Sequence, residues 1–200
     1  MLLYFKLPPW QLDLLDFGFC WADRGRVAHS LGCNVFGSEL SNVRVDHAWS
    51  IVIMVINWDE IPYRQFPFIN AEQVFEHLIQ PREALEHLMK ALQPDGMTMI
   101  SVPDGRGIAP SLKRFDRFSS WPDDQLMPIA PLEHVNCFNY SSLVELGRQV
   151  GLKPVRPRLH FLYNGSSGWL EPREAARNLL RPIYRHVYPK STFVYFGKTR

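Results

Sequence analysis

The sequence lacks three features that would each point to a particular class of protein. It has only three cysteines, Cys20, Cys33 and Cys137, and no C-x-x-C pair, which argues against a disulfide framework or a thiolate metal site. Its longest apolar run, residues 51–56, is far shorter than the roughly 20 residues that cross a bilayer. The opening residues lack the basic leader and long apolar core of a signal peptide. We therefore expect a cytoplasmic protein without a membrane span.

The sequence also carries little net charge. Its 22 basic and 20 acidic residues give +2, whereas nucleic-acid partners usually require a concentrated basic face. The strongest basic pattern is Arg173, Arg177 and Arg181 at four-residue spacing, which we interpret as a solvated helix face, with phosphate binding as the alternative. No nucleic-acid partner is indicated, and a small-molecule substrate is the simpler expectation.

Short apolar runs alternate with helical stretches along the 200 residues, which predicts a doubly wound α/β fold with a mostly parallel sheet. We expect a single domain over residues 1–200, with a cofactor half at about 12–103, a substrate or lid region at about 104–140, and further helices and strands at 141–200. The predicted strands are 12–17, 34–37, 51–56, 66–71, 97–102, 153–163 and 191–197, and the predicted helices are 23–31, 82–92, 141–150 and one beginning near Pro172.

Residues at the predicted strand ends carry a resemblance to a known family. Asp16 and Gly18 close the first strand, and Cys20 and Ala22 follow at the alternating positions of a glycine-rich loop. The stretch 66–78 and the turn 92–96, Leu-Gln-Pro-Asp-Gly, follow in the family's order. The chain therefore resembles the class I S-adenosylmethionine-dependent methyltransferases of the type 11/23 domain group, with a degenerate glycine loop. The resemblance implies a Rossmann-like seven-stranded sheet and S-adenosylmethionine as cofactor.

The resemblance also implies roles for individual residues. Glu39, at the end of the second strand, takes the position that binds the ribose hydroxyls, although NAD uses a similarly spaced carboxylate. Asn57 or Asp59 would bind the adenine amine, and Trp58 would stack on the ring, with a core Trp between surface polar groups as the alternative. The cofactor-binding residues expected from the resemblance are Asp16, Gly18, Cys20, Glu39, Leu40, Asn57, Trp58, Asp59 and Gln73.

Two histidines are candidates for the acceptor side. His77 stands beside Glu76 and can act as a general base near neutral pH, or it can simply form the floor of the pocket. His134 lies in a second family-like segment and either faces the substrate or packs in a loop. Its spacing to Cys137 suits two metal ligands, but no second pair completes a site, so we expect no metal.

The function predicted from these residues is methyl transfer from S-adenosylmethionine to a small or medium-sized acceptor. Because the cofactor's methyl group is already attached to a cationic leaving group, the protein mainly has to align the acceptor and exclude water. The altered glycine loop leaves open a non-catalytic scaffold that retains the fold. A nicotinamide-dependent oxidoreductase is the third hypothesis, and it lacks a full GxGxxG loop.

Overall fold

The computed structural model describes residues 2–51, 53–114, 126–130, 132–157, 180 and 191–199. Its strands are β1 (Asp13–Phe17), β2 (Asn34–Ser38), β3 (Met54–Val55), β4 (Phe66–Glu72), β5 (Leu92–Pro103), β6 (Leu152–Val155) and β7 (Ser191–Lys198). They form one seven-stranded sheet in the order β3-β2-β1-β4-β5-β7-β6. Only β7 runs antiparallel to its neighbours among these strands. The predicted Rossmann-like, mostly parallel fold is confirmed.

Helices cover both faces of this sheet. They are α1 (Leu2–Phe5), α2 (Asp23–Ser30), α3 (Asn42–Ser50), α4 (Pro81–Ala91), α5 (Ile108–Arg114) and α6 (Tyr140–Gln149). Short 3-10 turns include Trp58–Tyr63 and Phe75–His77. Within the described ranges, every helix is too short or too polar to traverse a bilayer.

Each face of the sheet has its own apolar core. α4 begins at Pro81, whose fixed φ suits a first helical turn, and it buries Leu85 and Leu88 in the same cluster as Leu143 of α6. The opposite cluster contains Ala48 of α3 and Val35 of β2. Burying one leucine side chain contributes about 2 kcal/mol, so these stripes fix which face of each helix meets the sheet.

Two segments differ from their predicted structure. Residues 42–50 form α3, which the sequence analysis did not assign, and the predicted strand 51–56 shrinks to Met54–Val55. Ile53 and Ile56 are buried in the core although they lie outside the strand, so burial of these side chains does not require a long strand. The predicted turn 94–96 lies inside β5 as an irregularity, since Phe66 pairs with Leu92 but Phe68 pairs with Met97.

Other predicted features lie outside the described residues. The helix near Pro172, with Arg173, Arg177 and Arg181, is among them, and so is most of the strand predicted at 153–163 beyond β6. The lid region is described in part and contains α5. The division of the domain into a cofactor half and a lid stays a prediction.

Candidate active site

The loop between β1 and α2 begins with a glycine that no other residue replaces easily. Gly18 has a φ of +66°, in the left-handed region that favours glycine, and a Cβ built there would collide with the side chain of Val74. Its N–H donates to the carbonyl of Ser38 at 2.8 Å. The loop is therefore held between the end of β2 and the segment that follows β4.

Cys20 and Ala22 adopt the backbone shape that glycines would give this loop. Their φ values are +52° and +59°, which costs an L-residue about 1–2 kcal/mol each. Ala22 is fully buried, and its N–H donates to the Phe19 carbonyl at 2.7 Å, just before α2 begins. The loop keeps a glycine-like path although two of its residues carry side chains.

The carboxylate of Glu39 lies directly against this loop. One oxygen, Oε2, accepts from the Cys20 N–H at 3.1 Å and lies 3.6 Å from a guanidinium nitrogen of Arg44. The other, Oε1, accepts from the N–H groups of Leu40 at 2.9 Å and Ser41 at 3.1 Å. A carboxylate has about four acceptor positions, and three are occupied here by N–H groups, so at most one position is left for a ligand hydroxyl on a side chain that is 8% exposed. The Leu40 side chain is 95% exposed and contributes only its backbone here.

Asp16 lies beneath the loop, in the buried part of the strand ends. Its Oδ1 accepts from the Asn70 side-chain amide at 2.7 Å. Burial raises the pKa of Asp16 to about 6, against the lowering effects of the Asn70 hydrogen bond, the Arg24 charge and the Gly25 backbone. Asn70 was not singled out from the sequence, although it belongs to the family-like stretch 66–78, and it sets the position of Asp16.

The loop after β3 uses Trp58 in an unexpected way. The indole stacks on the imidazole of His87, with ring centroids 3.9 Å apart and planes 10° from parallel. The Nε2–H of His87 also donates to the Trp58 carbonyl at 2.9 Å, which fixes the pair. Asn57 and Asp59 are exposed on either side. Phe17 also contacts the indole, with ring centroids 5.5 Å apart, and Trp58 packs half-buried against the core, so only part of the indole is exposed to a ligand. The sequence carried no signal for His87.

Gln73 joins the ends of two central strands. It has a φ of +54°, and its N–H donates to the Ser101 carbonyl at 2.7 Å. Its side-chain amide donates to the Ser101 hydroxyl at 3.3 Å. This side chain therefore bonds within the protein, between β4 and β5.

The segment after β4 is clamped to the segment 133–136. The Glu76 carbonyl accepts from the N–H groups of Val135 at 2.9 Å and Asn136 at 3.0 Å. The Asn136 side chain donates back to the Leu78 carbonyl. The two segments are far apart in sequence, and these backbone bonds bring His77 and His134 together.

The side chains at this junction form a cluster of Glu76, His77 and His134. The imidazole rings of His77 and His134 lie 4.8 Å apart, edge to face. His77 Nδ1 lies 2.8 Å from the Glu133 carbonyl, which can only accept, so Nδ1 carries the proton and Nε2 of the neutral ring keeps its lone pair. Glu76 is only 1% exposed, and burial raises its pKa against the effects of its own backbone N–H and of His77.

Comparison with known proteins identifies the family. The methyltransferase domain family matches residues 8–156. The chain belongs to this family. The resemblance expected from the strand-end motifs is confirmed. A comparison of this chain with curated proteins found no match in sequence.

Several solved structures share the fold of this methyltransferase domain. PKMT2 from Rickettsia typhi is 14% identical to this chain with a TM-score of 0.59, and the match covers 96% of this chain and 50% of PKMT2. A SAM-dependent methyltransferase from Archaeoglobus fulgidus is 12% identical with a TM-score of 0.61, and the match covers 98% of this chain and 90% of that protein. The plantazolicin methyltransferase BpumL was solved with a triazolic desmethylPZN analog and SAH. It is 18% identical with a TM-score of 0.63, and the match covers 100% of this chain and 80% of BpumL. The chain thus spans only half the length of PKMT2.

The methyltransferase domain places the predicted site residues in two groups. Asp16, Gly18, Cys20, Glu39 and Leu40 meet around the β1–α2 loop. His77 and His134 meet at the junction after β4. Gln73 lies between the two groups in sequence, and the Trp58 loop follows β3.

Proposed function

We propose that this methyltransferase domain binds S-adenosylmethionine and transfers its methyl group to a small or medium-sized acceptor. The observation that carries the proposal is the contact between the Glu39 carboxylate and the Cys20 N–H, which joins the ribose position to the glycine-type loop. In open α/β sheets, ligands bind beyond the carboxyl ends of the strands, where both groups lie. Family membership supports the same chemistry.

The chemical character of the strand ends suits this cofactor. S-adenosylmethionine brings two cationic groups and a ribose diol, and the carboxylates of Asp16, Glu39 and Glu72 all stand at the ends of central strands. Glu72 is paired with Arg24, and Glu39, which lies near Arg44, keeps at most one acceptor position for a hydroxyl. Bound cofactor supplies an activated methyl group, so the work left to this chain is binding, alignment and exclusion of water.

Individual residues then have separate tasks. Glu39 accepts hydrogen bonds from the ribose, and Gly18 lets the backbone approach the cofactor without a side chain. Ionised Asp16 stabilises the nearby positive charge of the cofactor. The exposed part of the Trp58 indole contacts the adenine, flanked by Asn57 and Asp59 as hydrogen-bonding groups.

The two histidines are proposed to contact the acceptor. Val74 packs on Gly18 of the proposed cofactor loop, and Glu76 and His77 follow within three residues, which supports an acceptor position next to that loop. His134 reaches the same place from the segment 133–136. An acceptor held here lies beside the proposed methyl position.

Binding of S-adenosylhomocysteine to the full chain, measured by isothermal titration calorimetry, tests the cofactor proposal. We expect saturable binding, and Glu39→Gln should weaken it at least about tenfold, since a charged hydrogen bond contributes about 1.5–3 kcal/mol. Glu86→Gln, an exposed change on α4, is the matched control and should bind as the unaltered protein does. Thermal unfolding of each variant verifies that the loop has not collapsed.

A non-catalytic scaffold is the second candidate. It is favoured by the side chains of Cys20 and Ala22 in the loop and by the Trp58–His87 stack, which covers one face of the proposed adenine platform. The same titration separates the two, because absence of heat with millimolar S-adenosylhomocysteine supports the scaffold. Equal affinity in the unaltered protein and Glu39→Gln would instead remove the ribose assignment.

A further inference from the structure

We propose that Glu76, His77 and His134 bind one divalent transition-metal ion of the zinc class beside the methyl-acceptor position. One potential ligand atom from each side chain lies within 4.8 Å of the other two. No metal was expected from the sequence, because the spacing from His134 to Cys137 offers one possible ligand pair without a second. Folding brings His134 to a different pair of ligands.

The unpartnered atoms of this cluster are the first argument. Glu76 is 1% exposed, and neither of its carboxylate oxygens has a hydrogen-bond partner on another residue of the described chain. His134 Nδ1 is also buried without a partner among those residues. A buried carboxylate is costly unless it is paired or coordinates a metal. One bound cation would account for both orphaned groups together, whereas proton transfer by His77 alone would account for neither.

The tautomer of His77 is the second argument. Its Nδ1–H donates to the Glu133 carbonyl at 2.8 Å, so the Nε2 lone pair is available to a ligand. Metal-binding histidines commonly donate their other ring N–H to a backbone carbonyl or carboxylate, which fixes the ring and its tautomer. The clamp between the Glu76 carbonyl and the N–H groups of Val135 and Asn136 holds both segments in place. The support expected around a metal ligand is therefore present.

The set of ligands indicates which ions fit. Two imidazoles and one carboxylate are typical of zinc sites that keep an open position, whereas Mg²⁺ prefers oxygen ligands. Metal–ligand bonds of about 2.0–2.2 Å place tetrahedral ligands roughly 3.5 Å apart, so a pair at the 4.8 Å limit has to close by about 1.3 Å. The Glu76 carboxylate has no hydrogen-bond partner on another residue of the described chain, so its rotation can make that adjustment without breaking a hydrogen bond.

A fourth coordination position would remain for water or for an oxygen of the acceptor. Two members of the cluster follow within three residues of Val74, which packs on Gly18, and we place that position beside the proposed methyl group. This placement rests on the proposed function and narrows the acceptor to molecules with a metal-binding oxygen, such as an alcohol, phenol or carboxylate. Metal binding itself does not depend on the cofactor.

Titration of the tag-free full chain with Co²⁺ and Zn²⁺, after removal of bound metal with a chelator, tests this proposal. Visible absorption reports Co²⁺ coordination, and calorimetry gives the Zn²⁺ stoichiometry. We expect one ion per chain, a rise in melting temperature on adding Zn²⁺, and at least about 100-fold weaker binding in Glu76→Gln and in His134→Gln. His29→Gln and Glu86→Gln, exposed changes outside the cluster, should retain full affinity.

The result that overturns the proposal is absence of binding at millimolar metal, or undiminished binding in Glu76→Gln and His134→Gln. Should one of these variants fail to fold, the other, or His77→Gln, supplies the comparison. Titrating the same samples with S-adenosylhomocysteine keeps the two proposals apart. Cofactor binding without metal binding removes only the metal site, whereas metal binding without cofactor binding removes only the methyl-transfer proposal.

Discussion

The two sides of the candidate site differ in how their polar groups are satisfied. On the side proposed to bind the cofactor (the cofactor side), both Glu39 oxygens accept backbone hydrogen bonds, and Asp16 accepts from Asn70. On the side proposed to bind the acceptor (the acceptor side), the oxygens of Glu76 and Nδ1 of His134 have no partner within the described chain. The cofactor side is thus built as a rigid support, and the acceptor side holds groups that a ligand would complete.

Substitution of Gly18 should have the largest effect on this arrangement. Gly18→Ala places a methyl group against Val74 and requires a left-handed backbone of an L-residue, so we expect about 3 kcal/mol of lost stability. Chemical denaturation measures it. Adding Val74→Ala to the Gly18→Ala variant should restore the stability lost to the steric collision, but not the stability lost to the left-handed backbone. If Gly18→Ala unfolds at the same denaturant concentration as the unaltered protein, the loop is not held as described.

Asp16 should make stability depend on pH. Its pKa rises from 3.8 to about 6 on folding, so its contribution is fully present below pH 3.8 and is lost as pH rises through about 6. Relative to Asp16→Asn, the unaltered protein should lose about 2–3 kcal/mol between pH 4 and pH 7. Denaturation of both proteins at the two pH values measures this difference. Parallel behaviour of the two proteins would show that the carboxyl titrates normally.

Glu76→Gln should stabilise the metal-free protein. Burial raises the pKa of Glu76, so ionisation of this side chain opposes folding. Replacing the carboxylate with a neutral amide should therefore raise the free energy of unfolding by about 1–2 kcal/mol at neutral pH. Thermal unfolding in the presence of a chelator provides the measurement. Excess Zn²⁺ should reverse the order, because only the unaltered protein gains from the ion. A variant that is less stable under both conditions would contradict the contrast between the two sides.

The smallest expected effect concerns the strained loop. Cys20→Gly removes the left-handed cost at that position and should add about 0.5–1 kcal/mol of stability. It should also strengthen S-adenosylhomocysteine binding if the loop contacts the cofactor. Lys6→Gly is the matched control, since Lys6 has a similar φ of +53° outside the site. A gain in affinity from Lys6→Gly as well would mean that the effect is general stability and not the loop.

Several elements could be predicted because their signals are local. The stripe of Leu85 and Leu88 behind Pro81 predicts α4, and Gly18 after a buried run predicts the turn that ends β1. α3 was missed because its apolar residues form only a weak stripe. The neighbouring apolar run therefore appeared to be a whole strand, although Ile53 and Ile56 are buried outside the short β3.

By itself, the sequence determined the alternation of strands and helices, the family, and which residues stand at strand ends. Hydrophobic periodicity and turn residues act over a few neighbouring positions, so the secondary structure that they favour does not depend on tertiary contacts. Only the tertiary structure decided that His87 covers Trp58 and that His134 meets Glu76 and His77. Such contacts join residues that are distant along the chain, and they depend on how whole elements pack.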